Sequence, residues 1–187
     1  LDYGAGEQPG NQSRGTTLGG GVKYQQGPLA LGVAYDQRSS TDGTNTIRNY
    51  SVGGSYAFGK ATAYLGHMGR RETVSDASFA TSFIGLGYQL TPALHLSGAY
   101  YRYQQRGAVT TQFQETPILL GSGNADSVAL VGDYALSKRT SLYVEADVVY
   151  ARGGTVGRET EYWAGTPVTD IDSTTRVGVM VGMRHQF

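Results

Sequence analysis

The last eleven residues of the chain alternate without a break. Val177, Val179, Val181, Met183, His185 and Phe187 share one face of an extended strand, and Gly178, Met180, Gly182, Arg184 and Gln186 share the other. One face is apolar, the other carries an arginine, and the run closes on an aromatic ring. Such a strand suits a sheet with lipid on one side and water on the other, and the same pattern recurs along the chain.

Hydropathy restricts how a membrane is crossed. Mean hydropathy is −0.31, and the absence of any apolar run of about 18 residues excludes a membrane-spanning helix. A transmembrane barrel remains open, because half of each strand faces water and a window average cancels the signal. Formal net charge is zero, from 15 basic and 15 acidic side chains, and with no Lys/Arg cluster this balance argues against a nucleic-acid surface. The lack of Cys fits an oxidising compartment but is equally compatible with the cytosol. The chain opens on Leu1 without a charged-then-apolar leader, so a secretion signal is expected to have been removed or to lie upstream.

A period of two predicts nine strands, near 15–25, 29–38, 47–58, 61–70, 79–90, 93–104, 125–136, 141–152 and from 174 onward. The fourth reads either way, with Tyr64 and Met68 or Ala63 and Leu65 on the apolar side; the turn spacing of the other hairpins favours Tyr64 and Met68. Apart from that strand, no Asp, Glu, Lys or Arg falls in the apolar sets, as expected where a midplane Lys or Arg costs about 2 to 4 kcal/mol. The strand charges Lys23, Asp36, Arg38, Asp133, Glu145, Asp147, Arg176 and Arg184 take the opposite parity.

Alternation alone also fits a soluble sandwich, so the connections decide. Short links near 26–28, 59–60, 91–92 and 137–140 alternate with long polar ones near 39–46, 71–78, 105–124 and 153–172. Tight turns at one end and large loops at the other are the asymmetry of an outer-membrane barrel. Aromatics mark both ends of the apolar face. Tyr24, Tyr56, Tyr88, Tyr134 and Phe187 stand near the short turns or the terminus, and Tyr35, Tyr50, Tyr100 and Tyr150 near the long loops. Strand propensity also favours Tyr, but placement at both ends predicts two membrane girdles.

The terminal Val177-Gly-Val-Met-Val-Gly-Met-Arg-His-Gln-Phe187, with Tyr134-Ala-Leu-Ser-Lys-Arg-Thr140 leading into Ser141-Leu-Tyr-Val-Glu-Ala146, resembles the C-terminal half of a Gram-negative general porin of the betaproteobacterial type. The resemblance covers essentially the whole chain and is diffuse before about residue 79. It implies an all-β, transmembrane, antiparallel up-and-down barrel of about sixteen strands, three to a trimer, each an aqueous channel for ions and small hydrophilic solutes. It also implies a place in the outer membrane among lipid and lipopolysaccharide, no cofactor, and a terminal Phe187 read by the barrel assembly machinery. Such porins are nearly twice this length, and their inward-folded third loop belongs to the other half.

Strand arithmetic agrees. Nine is odd where single-chain bacterial barrels are even, and Leu1-Asp2-Tyr3 is too short to be more than the end of a tenth strand. Residues 1–187 are therefore expected to be the C-terminal part of one barrel domain. Its polar-parity charges then line a pore, where they either bias ion passage or pair and hold the wall together. Arg102, Arg106 and Arg152, near the long-loop rim, are expected to be solvated rather than bound to lipopolysaccharide phosphate.

Enzymatic and metal readings find little support. His67, His95 and His185 show no catalytic spacing, His185 is on the apolar parity and His95 is close to a short turn. No two His lie at i,i+2 or i,i+4. Gly19-Gly20-Gly21 and Gly53-Gly54 sit within strands with no following helix, so they are not phosphate cradles. The alternative function is a small closed barrel acting as a surface binding or adhesion module through loops 105–124 and 153–172, with Trp163 as contact point.

Overall fold

Each period-two segment pairs with its sequence neighbour, which is the least costly way for a chain with short links to satisfy its backbone amides. A computed structural model describes residues 2–4, 14–74, 77–107, 109–113, 116–156 and 173–186. Its strands are β1 (Asp2–Gly4), β2 (Thr17–Gln26), β3 (Leu29–Ser39), β4 (Thr46–Phe58), β5 (Ala61–Glu72), β6 (Ser78–Gln89), β7 (Leu94–Arg106), β8 (Val109–Phe113), β9 (Thr116–Leu120), β10 (Gly123–Ala135), β11 (Thr140–Gly153) and β12 (Thr175–His185). Ten of them form one antiparallel sheet in the order β1-β2-β3-β4-β5-β6-β7-β10-β11-β12. The nine expected strands are all present, and β1 adds the tenth by pairing Tyr3 with Leu18. The expected loop 105–124 contains a separate hairpin, β8–β9. Its short segments lack the alternation that marks the others.

Turn chemistry sets the register. Gly27-Pro28 and Gly59-Lys60 are two-residue links between the pairs Gln26↔Leu29 and Phe58↔Ala61. Gly27 and Gly59 have φ of 52° and 63°, the left-handed region such hairpins need. The other two short links use a hydroxyl instead. Thr91 Oγ1 accepts from the Leu94 amide at 3.0 Å, and Ser137 Oγ accepts from the Thr140 amide at 3.1 Å.

The Phe58↔Ala61 pairing corrects the fourth strand. Directly opposed residues share a face, so Tyr56 brings Ala63, and Gly54 brings Leu65, onto the apolar side. Tyr64, opposite Ser55, and Met68, opposite Ser51, are on the polar side instead. A two-residue turn joins residues of one face, and that parity overrides the apparent match of Tyr64 and Met68 to the other apolar sets.

Among the described residues no layer covers either face of the sheet. Among the described residues the buried apolar side chains are only Ala61, Ala77, Ala125, Val149 and Ala151. Val22, Val33, Val52, Leu65, Ile84, Leu130, Val144, Val179 and Val181, all on the apolar face, stand between 48% and 74% exposed. Leaving each such side chain in water forfeits about 1.5 to 3 kcal/mol, so water is not the solvent of this face.

Two predictions follow from turn and loop geometry. A Cβ on Gly59 meets no atom within 4 Å, so Gly59→Ala changes only the backbone energy. It is expected to lower stability by about 1 to 2 kcal/mol, read as a lower urea midpoint of the folded band in semi-native gels. In the β3–β4 loop, hydrogen bonds from the Ser40 hydroxyl and then from Thr44 hold the Asp42 carboxyl at about 2, below its ordinary 3.8. The ionised form is favoured in the folded loop. Its contribution to loop order is therefore complete above 3.8 and lost as pH falls through about 2. An NMR carboxyl titration of Asp42 with a midpoint near 4 would contradict this.

Candidate functional site

The register places Lys23, Asp36, Arg38, Asp133, Glu145, Asp147, Arg176 and Arg184 on the face opposite the apolar set. Most of the acids and bases on this face find partners. Arg176 donates to Asp147 on the neighbouring strand. Arg184 reaches Asp133 at 3.9 Å across β11, its guanidinium 6.0 Å from the Tyr143 ring centroid. Asn49 donates to Asp36 at 2.8 Å, and Arg70 meets Glu72 at 2.6 Å. The side chains of Lys23, Arg38 and Glu145 form no hydrogen bond or ion pair with other described residues. The exposed pairs contribute about 0 to 1 kcal/mol each, so they order the wall more than they stabilise it.

The polar face also carries an aromatic ledge that parity reading missed. Tyr64 on β5, Phe79 and Phe83 on β6, and Tyr101 and Tyr103 on β7 share it. The rings of Phe83 and Tyr101 lie 5.8 Å apart, and those of Phe79 and Tyr103 6.4 Å. The Phe83 ring packs against Gly66, where a Cβ would come within 2.4 Å of it. The signal was present in the two-residue link at Gly59-Lys60, which sets the parity of Tyr64. Beside the ledge is a hollow of 290 Å³ bordered by Tyr64, Phe83, Tyr101 and Glu145.

On the apolar face, Tyr24, Tyr56, Tyr88 and Tyr134 stand toward the short turns, and Tyr35, Tyr50, Tyr100 and Tyr150 toward the long loops. Each of these tyrosines is 39% to 50% exposed. Three hydroxyls turn away from the middle of the sheet to polar partners: Tyr24 to Gln26, Tyr35 to Gln37 at 3.1 Å and Tyr100 to Asp126 at 2.6 Å. Phe187 and the Glu159 to Trp163 stretch lie outside the described residues.

Beyond the upper tyrosines the same face turns basic. Arg48, Arg71, Arg102, Arg106 and Arg152 all take the apolar parity. Arg48 stands opposite Arg71 and bonds Gln37 at 3.2 Å. Asp126 holds Arg152 at 3.0 Å and Arg102 at 3.7 Å. On this face too, His67 Nδ1 lies 2.8 Å from Ser82 Oγ and its Nε2 3.4 Å from the Tyr50 hydroxyl. Among the described residues no carboxylate orients this His, and Ser82 lies inside ladders on both sides, which leaves no spare amides to stabilise an oxyanion.

An open antiparallel sheet with one apolar face, aromatic ends and a charged opposite face is the wall of an outer-membrane β-barrel. The family model of the Gram-negative porins matches residues 1–154, and the chain belongs to that family. It is therefore a non-enzymatic protein of the Gram-negative outer membrane. The anion-selective porin from Comamonas acidovorans superposes with a TM-score of 0.70 at 21% identity, over 99% of this chain and 54% of that one. OmpT, expressed in the outer membrane of Vibrio cholerae, matches at 0.61 and 15% identity, over 91% and 56% of the two chains. In-vitro folded OmpT of the same organism gives 0.63 at 14% identity, over 98% and 58%. The chain thus spans about half the length of these structures. No curated protein matches it in sequence.

Proposed function

We propose that these strands are the C-terminal part of a single barrel of about sixteen strands that forms a water-filled channel for passive diffusion of ions and small hydrophilic solutes. The observation that carries the reading is the segregation of charge. Between the two rows of tyrosines, every Asp, Glu, Lys and Arg of the sheet is on one face. That face, including Lys23, Asp36, Arg38, Asp133, Glu145, Asp147, Arg176 and Arg184, lines the water. Among the described residues the sheet has unpaired edges at β1 with the rest of β2 and at β12, which lipid does not tolerate, so this reading has further strands closing it. The barrel assembles as a homotrimer, and its terminal strand with Phe187 is the segment that the assembly machinery recognises. Protein purified from its native outer membrane is expected to form heat-sensitive oligomers and to give stepwise conductance in a planar bilayer. A folded barrel that never conducts would overturn the channel.

The arginine band belongs to the same picture. Arg48, Arg71, Arg102, Arg106 and Arg152 sit beyond the tyrosine girdle at the long-loop end, the depth of lipopolysaccharide phosphates, and we assign them to that contact rather than to simple solvation. At about 1 kcal/mol per arginine near an anionic surface, replacing Arg48, Arg106 and Arg152 by Gln should markedly reduce the lipopolysaccharide that copurifies while leaving conductance intact. An unchanged phosphate-to-protein ratio would remove the band from this role.

A further inference from the structure

The hollow beside the aromatic ledge has a construction that wall integrity does not require. Tyr64, Gly85, Ala99 and Ala129 form one row across β5, β6, β7 and β10. Three of these four carry no side chain beyond Cβ, so the row forms a flat floor beside the Tyr64 ring. Phe83 and Tyr101, one step closer to the long loops, form an upper wall with their rings tilted by 36°. Tyr64 and Tyr101 remain 43% and 39% exposed. Glu145 borders the opposite side. Gly66 makes room for the Phe83 ring, because a Cβ there would strike it.

Charge selects the occupant. Aromatic faces carry negative quadrupole potential, and the carboxylate that borders them has no partner among the described residues. Among the described residues Glu145 is the only charged residue that borders the hollow, and Arg176, two strands from Ala129, is engaged by Asp147. A volume of 290 Å³ exceeds the roughly 150 Å³ that encloses a benzene ring and leaves room for a small cationic head.

We propose that this hollow is a solute-binding site for organic cations with a flat apolar body, the ring stacking against Tyr64, Phe83 and Tyr101 and the ammonium facing Glu145. The site retards such cations on their way along the wall, whereas anions and compact inorganic ions pass it by. The inference rests on the polar face lining water, and its test separates the two readings. Benzyltrimethylammonium is titrated against native-membrane protein by saturation-transfer NMR in detergent, and in parallel against single-channel current.

Saturable transfer to the aryl protons is expected. Glu145→Gln should raise the apparent dissociation constant about three- to tenfold, and Tyr101→Ala by a similar factor, with the folded band of each variant checked on semi-native gels. Tetramethylammonium, without a ring, and benzyl alcohol, without a charge, should bind more weakly. Equal affinity in Glu145→Gln, equal binding of benzyl alcohol, or no transfer at all would overturn the site; the last is also the result expected if another segment of the barrel covers the ledge. Loss of conductance with binding intact would overturn the channel and leave the site.

Discussion

Backbone hydrogen bonding is the constraint on which the rest of this structure depends. In a hydrocarbon layer each unpaired amide or carbonyl costs several kcal/mol, and a strand satisfies its own only through its neighbours. The ladder from β2 to β12 meets that demand for every interior strand, and because all pairs are antiparallel, links of a few residues suffice on one side. The side chains are then free of any need to build a core. They divide instead between two solvents, and among the described residues the buried apolar set shrinks to a few Ala and one Val.

Once the side chains divide in this way, register becomes the decisive variable, because a slip of one residue would send Arg176 and Arg184 to lipid and Val177 and Val181 to water. Small features therefore have large effects. Gly27 and Gly59 permit two-residue turns, and Thr91 and Ser137 cap the other two short links with their hydroxyls. These turns lie at the same end of the sheet, and they leave the opposite end to loops whose composition is free to vary.

The two faces carry different kinds of polar chemistry. On the polar face Asp147 pairs with Arg176 on the neighbouring strand and Asp133 reaches Arg184 across β11, whereas Glu145, like Lys23 and Arg38, has no partner among the described residues and borders the aromatic ledge. On the other face charge appears only at and beyond the upper tyrosines, where Asp126 binds Tyr100, Arg102 and Arg152 together. The depth at which the face changes from Val and Leu to Tyr and then to Arg reads as a record of the solvent, from hydrocarbon to headgroup.

The sequence by itself determined the strands, their up-and-down order and the face of nearly every charge, because a side-chain period of two is set by local backbone geometry and needs no tertiary information. It was ambiguous at β5, where Tyr64 and Met68 alternate as plausibly as Ala63 and Leu65. The two-residue link at Gly59-Lys60 carried the parity, and the Phe58↔Ala61 pairing fixes it. It was silent about which side chains meet. The ring of Phe83 against Gly66, the row Gly85, Ala99 and Ala129 beneath the hollow, and the bond of Arg48 to Gln37 each join residues of different strands. Those neighbours are set by inter-strand register, a property of pairs of segments rather than of any one, and so they exist only in the assembled sheet.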